Sequence, residues 1–201
     1  MASESGAPVS VSDPASERFN AALAPLSLQR VQSFLNTRST GLPIEPDLLA
    51  RPASANEWLR TFEWPTTPRL TTQDLIALRE LRQSLQALIE VGSNPSETAI
   101  ELDFSRHLSD LRWTMAVVEG QLELAAKGAG WRQVAGALLS DIFVAQQHGF
   151  WPRLKACRES LCSVIFYDSS KNQSRGWHNT LECGNRTNLR ASRARRREET
   201  S

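Results

Sequence analysis

The chain has no cysteine before Cys157, so no disulfide can staple its body. It has no run approaching the roughly 18–20 uninterrupted apolar residues of a membrane-spanning helix, and no membrane is expected among its partners. The segment from Met1 to Ser16 lacks both a basic start and an apolar stretch, so it does not read as a secretory signal. Its Ala, Ser and Pro content makes residues 1–20 an expected disordered tail. Without export, a cytoplasmic setting is expected, where clustered cysteines serve metals more often than disulfides. No internal repeat is visible, and no G-x-S-x-G, Walker A or G-x-G-x-x-G element occurs. Gly128-Ala129-Gly130 has the composition of a phosphate loop but reads as a plain turn. His107 and His148 stand alone with no second donor at i+3 or i+4, and Glu101 and Asp103 have no partner for acid–base work. An enzyme is not expected.

What is present is concentrated at one end. All three cysteines, Cys157, Cys162 and Cys183, fall within the last 45 residues, and His178 sits among them. The order is Cys157-x4-Cys162, fifteen residues, then His178-x4-Cys183. Two short ligand pairs separated by a longer loop are the layout of a tetrahedral zinc site with four protein donors. Such a site has no open position for substrate, so one structural Zn2+ is the expected cofactor. Val164-Ile165-Phe166-Tyr167 is strand-like within the loop, and Trp177 is placed to cover the site with its ring.

The rest of the chain carries helical periodicity. Leu28, Val31, Phe34 and Leu35 share a face over Leu28 to Thr37, and a short helix is expected from Ala55 to Phe62. Thr71 or Thr72 caps a longer helix reaching about Val91, with Leu75, Leu78, Leu81, Leu85, Leu88 and Ile89 as its stripe. Two strand-like runs divided by Glu119-Gly120 read as a β-hairpin, with a helix as the competing reading for part of that span. An amphipathic helix covers Trp131 to Gln147, its apolar positions including Val134, Leu138, Ile142 and Val144. The expected fold class is therefore α+β: a mostly helical domain with a small antiparallel sheet over 21–150, then a small treble-clef-like zinc module over 151–201.

The net charge of +1 conceals an asymmetry. From Arg153 to Ser201 there are eleven Lys/Arg against five Asp/Glu, and in the remainder twelve against seventeen. A basic module on a mildly acidic body suits a polyanionic partner at one end. A helix from Cys183 to about Arg197 would bring Arg186, Arg190, Arg193 and Arg197 within about 60° of one another, with Arg195 and Arg196 widening the stripe. Guanidinium groups bind phosphate and read guanine edges, so DNA is the expected partner. Lys171 and Arg175 on the loop are second-rank phosphate contacts, and Asn185 reads as a local cap. The helix dipole would favour a thiolate at Cys183. The competing reading is an RNA-binding or protein-interaction module whose arginines meet an acidic partner.

These residues carry a resemblance. Cys157-x4-Cys162-x3-Phe166-Tyr167-Asp168, Ser174-Arg175-x-Trp177 and Cys183-Gly184-Asn185-Arg186 with an Arg-rich end resemble the CGNR zinc finger family. Phe34-Leu35-Asn36-Thr37-Arg38 and the helix with Trp58-Leu59 resemble the ABATE domain that accompanies it. The resemblance implies a stress-induced transcription regulator whose finger binds DNA and whose N-terminal domain senses a ligand or partner. Asn36, Thr37 and Arg38 are the candidate residues for a small effector. One short finger offers little contact area, which makes a homodimer on two half-sites an expectation as well. The family usually places a fourth cysteine where this chain has His178. Imidazole ligates zinc well, lowers the negative charge of the site by one and makes affinity fall as it protonates.

Overall fold

The computed structural model describes residues 13–62, 64, 67–91, 105 and 108–198. In chain order the elements are α1 (Pro14–Glu17), α2 (Leu26–Leu35), α3 (Pro52–Leu59), α4 (Thr72–Val91), β1 (Arg112–Val118), β2 (Gln121–Lys127) and α5 (Trp131–Gln147). A 3-10 turn (Trp151–Arg153) leads into β3 (Leu154–Ala156) and β4 (Ile165–Tyr167), and a single π turn (Thr180–Gly184) leads into α6 (Asn185–Glu198). The architecture is a mostly helical α+β body with two small antiparallel hairpins and a C-terminal Cys/His module.

Local chemistry explains the boundaries. Pro52 supplies the first residue of α3, so that helix begins three residues before the expected Ala55. At α4, Thr71 and Asp74 cap each other: the Asp74 carboxylate accepts from the Thr71 N–H at 2.8 Å and from its hydroxyl at 2.7 Å. The other Asp74 oxygen accepts from the Trp131 N–H at 3.0 Å, which joins the starts of α4 and α5. Gly130 makes this possible, since it has φ of 58° and a Cβ there would come within 2.2 Å of Asp74 Oδ1. Glu119 and Gly120 both have positive φ, the requirement of a tight two-residue hairpin turn, and they set the register Met115↔Leu124 and Val117↔Leu122.

The expected tail needs correcting in part. Residues 13–20 are built into the fold: Asp13 caps α1, Pro14 starts it, and Ala15 and Ser16 are fully buried. An Asp-Pro pair is a strong local helix start that an Ala/Ser/Pro-rich composition conceals. Residues 1–12 lie outside the described residues, as does His107.

One core unites α2, α3, α4 and α5, with Leu28, Phe34, Leu59, Leu78, Leu81 and Leu138 wholly buried. Trp58 sits at its centre, edge-on to Phe62 and Trp64, and its indole N–H donates to Ser33 Oγ at 2.9 Å. Val144, expected on the apolar face of α5, is 43% exposed, because Ala145 faces inward instead. Leu154 and Ile165 from the second hairpin enter the same core. Strand alternation then sends Val164 and Phe166 to the opposite side, into a smaller core around the three sulfurs. That arrangement seats the metal site on the helical body.

Candidate metal centre and basic helix

Cys157 follows β3, and its N–H donates to Val164 O at 2.9 Å, which closes the hairpin. Cys162 lies on the knuckle between β3 and β4, its N–H bonded to Glu159 O at 2.8 Å. Of the second pair, His178 precedes the π turn and Cys183 stands on it; Asn179 Oδ1 caps the turn by accepting from the N–H groups of Leu181 and Glu182. Asn179 thus performs the capping expected of Asn185, which is exposed as the first residue of α6.

The donor atoms of Cys157, Cys162, His178 and Cys183 all lie within 4.8 Å of one another, and all four residues are buried. His178 Nδ1 is 3.4 Å from Cys162 Sγ and 3.7 Å from Cys183 Sγ. Tetrahedral zinc with thiolate and imidazole donors calls for edges of roughly 3.5–3.8 Å. The chemistry of the set points the same way. Without a metal the three sulfurs compete: hydrogen bonds from Cys162 and His178 draw the Cys157 thiol down to about 4, the hydrogen bond to Cys157 together with burial pushes the Cys162 thiol far up, and burial beside Cys157 lifts the Cys183 thiol to about 11. Three buried sulfurs become thiolates together only around a cation. The cluster fits one structural zinc ion.

Several polar groups hold this frame. Asp168, fully buried, binds Lys155 Nζ at 2.7 Å, the Ser170 hydroxyl at 2.6 Å and the Arg175 N–H at 3.0 Å. Burial alone would raise its carboxyl, but these donors outweigh it and hold the pKa far below the usual range. Arg175 faces inward as well: it donates to the carbonyls of Trp177 (3.1 Å) and His178 (2.6 Å) and lies over the Phe166 ring. Through these bonds it orients the ligand loop. Trp177 packs on the sulfur cluster.

The helical body reaches into the site through α2. Asn36 is wholly buried; its amide donates to Ile165 O at 2.8 Å and its carbonyl accepts from Ile165 N–H at 2.9 Å. One turn earlier, Gln32 donates to Ile165 O at 3.2 Å and to Ala22 O at 2.9 Å. These two side chains stand where a third strand would pair with β4. Thr37 is also fully buried, donating to Phe34 O and accepting from Arg82. Asn36 and Thr37 therefore join the two modules and do not line a surface site; Arg38 alone of the three reaches a cleft.

These two modules match known families. The chain belongs to the ABATE family. That family, described as "Putative stress-induced transcription regulator", matches residues 28–148, and the CGNR zinc finger matches residues 153–196. No curated protein matches the chain. Both families are of regulator or zinc finger type and neither is an enzyme family. Among the described residues no helix is long and apolar enough to cross a membrane.

Within the zinc module, α6 follows directly on the π turn. From Asn188 to Arg197 every residue except Ser192 is exposed, including Arg190, Arg193, Arg195, Arg196 and Arg197; Arg186 is exposed one turn earlier. Arg190 differs from the others. Its guanidinium pairs with Glu159, whose carboxylate is fully buried on the knuckle, and it donates to Ser160 Oγ at 3.1 Å. Thr187 donates to the same carboxylate at 3.0 Å. Arg190 thus anchors α6, while Lys171 is exposed on the loop with no partner among the described residues. Glu159 was not recognised from the sequence; it occupies one of the x4 positions between two ligands, where residues read as spacers.

Proposed function

We propose that this ABATE protein is a DNA-binding transcription regulator in which zinc fixes the root of an arginine-rich helix that is presented to DNA. The observation that carries the reading is α6 itself: it is exposed along its length, rich in arginine, and clamped at its base by Glu159 next to the metal ligands. Arg186, Arg193 and Arg195 make no hydrogen bond or ion pair among the described residues, which leaves their donors for phosphate oxygens. In this reading the helical body senses a ligand or partner under stress, the protein acts in the cytoplasm, and two copies read two half-sites.

The test uses full-length, zinc-loaded protein and a labelled duplex of 20–30 base pairs, followed by anisotropy at several salt concentrations. The dissociation constant should rise steeply with salt, and Arg186→Ala/Arg193→Ala should weaken binding by about tenfold or more and flatten the salt dependence. Salt-insensitive binding, or no effect of the double substitution, would remove DNA as the partner. Stronger binding to RNA or to an acidic peptide in competition would favour an RNA-binding or protein-interaction module instead.

A further inference from the structure

We infer that the cleft between α4 and the loop after α2 is a binding site for a small molecule carrying an oxyanion, a phosphate or carboxylate. The inference rests on the reading of the ABATE domain as the sensing part and assigns that role a place and a ligand chemistry. The cleft has a volume of about 420 Å³, and its walls include Arg38, Arg79, Arg82, Gln83, Gln86 and Glu90. On α4 the residues 79, 82, 83, 86 and 90 recur on one helical face, and Arg38 reaches in from the loop opposite.

The polar groups of this cleft do not balance. Arg82 is matched by Asp47 through two bonds of 2.9 and 2.6 Å. Arg79 makes no hydrogen bond or ion pair among the described residues; Asp47, the acid it acts on, is already held by Arg82. Arg38 donates through Nη1 to Gln86 Oε1 at 2.9 Å. With three guanidinium groups against Asp47 and Glu90, the wall remains net positive. Gln86 is only 7% exposed. Because Arg38 fixes its carbonyl as the acceptor, its Nε2 points elsewhere, and that donor has no partner among the described residues. Arg38 and Arg79 both bring guanidinium donors to the cleft, and the group that complements such a set is an oxyanion. Ala87 is the one apolar residue of the lining, so recognition is of the charged group.

The position of the cleft gives it a route to the finger. Arg82 also donates to Thr37 Oγ1 at 2.8 Å, and Asn36, two residues before Arg38, holds both backbone groups of Ile165. An anion that draws on Arg38 and Arg82 therefore acts on the loop that fixes β4.

The test titrates full-length, zinc-loaded protein, without DNA, with inorganic phosphate and separately with benzoate. Ionic strength is held constant with chloride, and thermal unfolding and heats of binding are recorded. Saturable stabilisation beyond chloride is expected, with the dissociation constant raised about tenfold or more in Arg79→Gln. The unliganded melting temperature of Arg79→Gln should match wild type, because Arg79 ties down nothing in the fold. Preference for phosphate assigns a phosphorylated ligand, and preference for benzoate a carboxylic acid. Absence of saturable binding to either anion overturns the site. So does equal binding by Arg79→Gln, which would place the anion on the basic helix. Duplex binding by Arg79→Gln without anion should equal wild type, so the cleft and the DNA-binding reading fail separately.

Discussion

Asn36 uses both halves of its carboxamide on a single residue of β4, Ile165. In Asn36→Ala the Ile165 N–H loses its partner in a buried position, while Gln32 still reaches the carbonyl. An orphaned buried donor together with the lost bonds costs about 2–3 kcal/mol, which urea denaturation of the zinc-loaded protein would measure. A change below about 0.5 kcal/mol would mean that the clasp is not a support. Arginines on α6 divide by a similar test. Arg190→Ala leaves the buried Glu159 carboxylate short of its cation and should cost about 1–2 kcal/mol, less than for a fully buried pair because the guanidinium is 47% exposed. Arg193→Ala should change stability by less than about 0.5 kcal/mol and instead weaken duplex binding. The two variants should therefore rank in opposite order in thermal unfolding and in the DNA assay. Equal ranking in both would dissolve the distinction between anchor and contact. The tripeptide Asn36-Thr37-Arg38 shows where the sequence runs out. Its polarity is visible, but Asn36 has its partner 129 residues away, and no local pattern signals a side chain that substitutes for a strand.

At the scale of elements, what was legible is what local chemistry decides. The Glu119-Gly120 turn, the stripe of α4 and the span of α5 follow from periodicity and turn residues, and their observed limits agree with that reading. The metal pairs were legible because ligand spacing is a property of the chain. The short α1 was not, since four residues carry no period and only the Asp13-Pro14 cap announces them. The π turn before α6 was also missed; it carries Cys183 back to within 3.7 Å of His178 Nδ1, while Asn179 caps its start. This geometry makes a specific prediction for His178. His178→Cys restores the usual cysteine of the finger family and should keep one zinc per chain. His178→Ala removes a donor and should lower zinc affinity by more than the ~10–100-fold that outer contacts command. Competition with a chromogenic chelator reads both, and unchanged affinity in His178→Ala would take the imidazole off the metal.

At the scale of the whole molecule, the boundary between the two family matches is a boundary in sequence and not in packing. Phe19, Ala21 and Leu42 from the N-terminal part pack with Cys157, Cys162, Val164, Phe166 and Cys183, and Leu154 and Ile165 return the contact to the helical core. The Gly41 N–H and the Thr40 hydroxyl both donate to the Cys162 carbonyl, and the Tyr167 N–H donates to Ala22 O at 3.0 Å. A fragment of residues 151–201 keeps every metal donor but loses the cover over Phe166 and Ile165, each worth about 1.5–3 kcal/mol of burial. A module of that size has little stability to lose. With zinc bound it should show poorly dispersed amide resonances and no cooperative melt, whereas the full chain should melt once, at a temperature that falls when zinc is removed. Phe19→Ala in the full chain makes the coupling quantitative. The ring is 7% exposed and lies in the sulfur-side core, far from the ligands in sequence, yet its loss should weaken zinc binding in the chelator competition. If zinc affinity is untouched while the melting temperature falls, the metal does not feel the N-terminal cover, and the finger is an independent unit attached to the ABATE body.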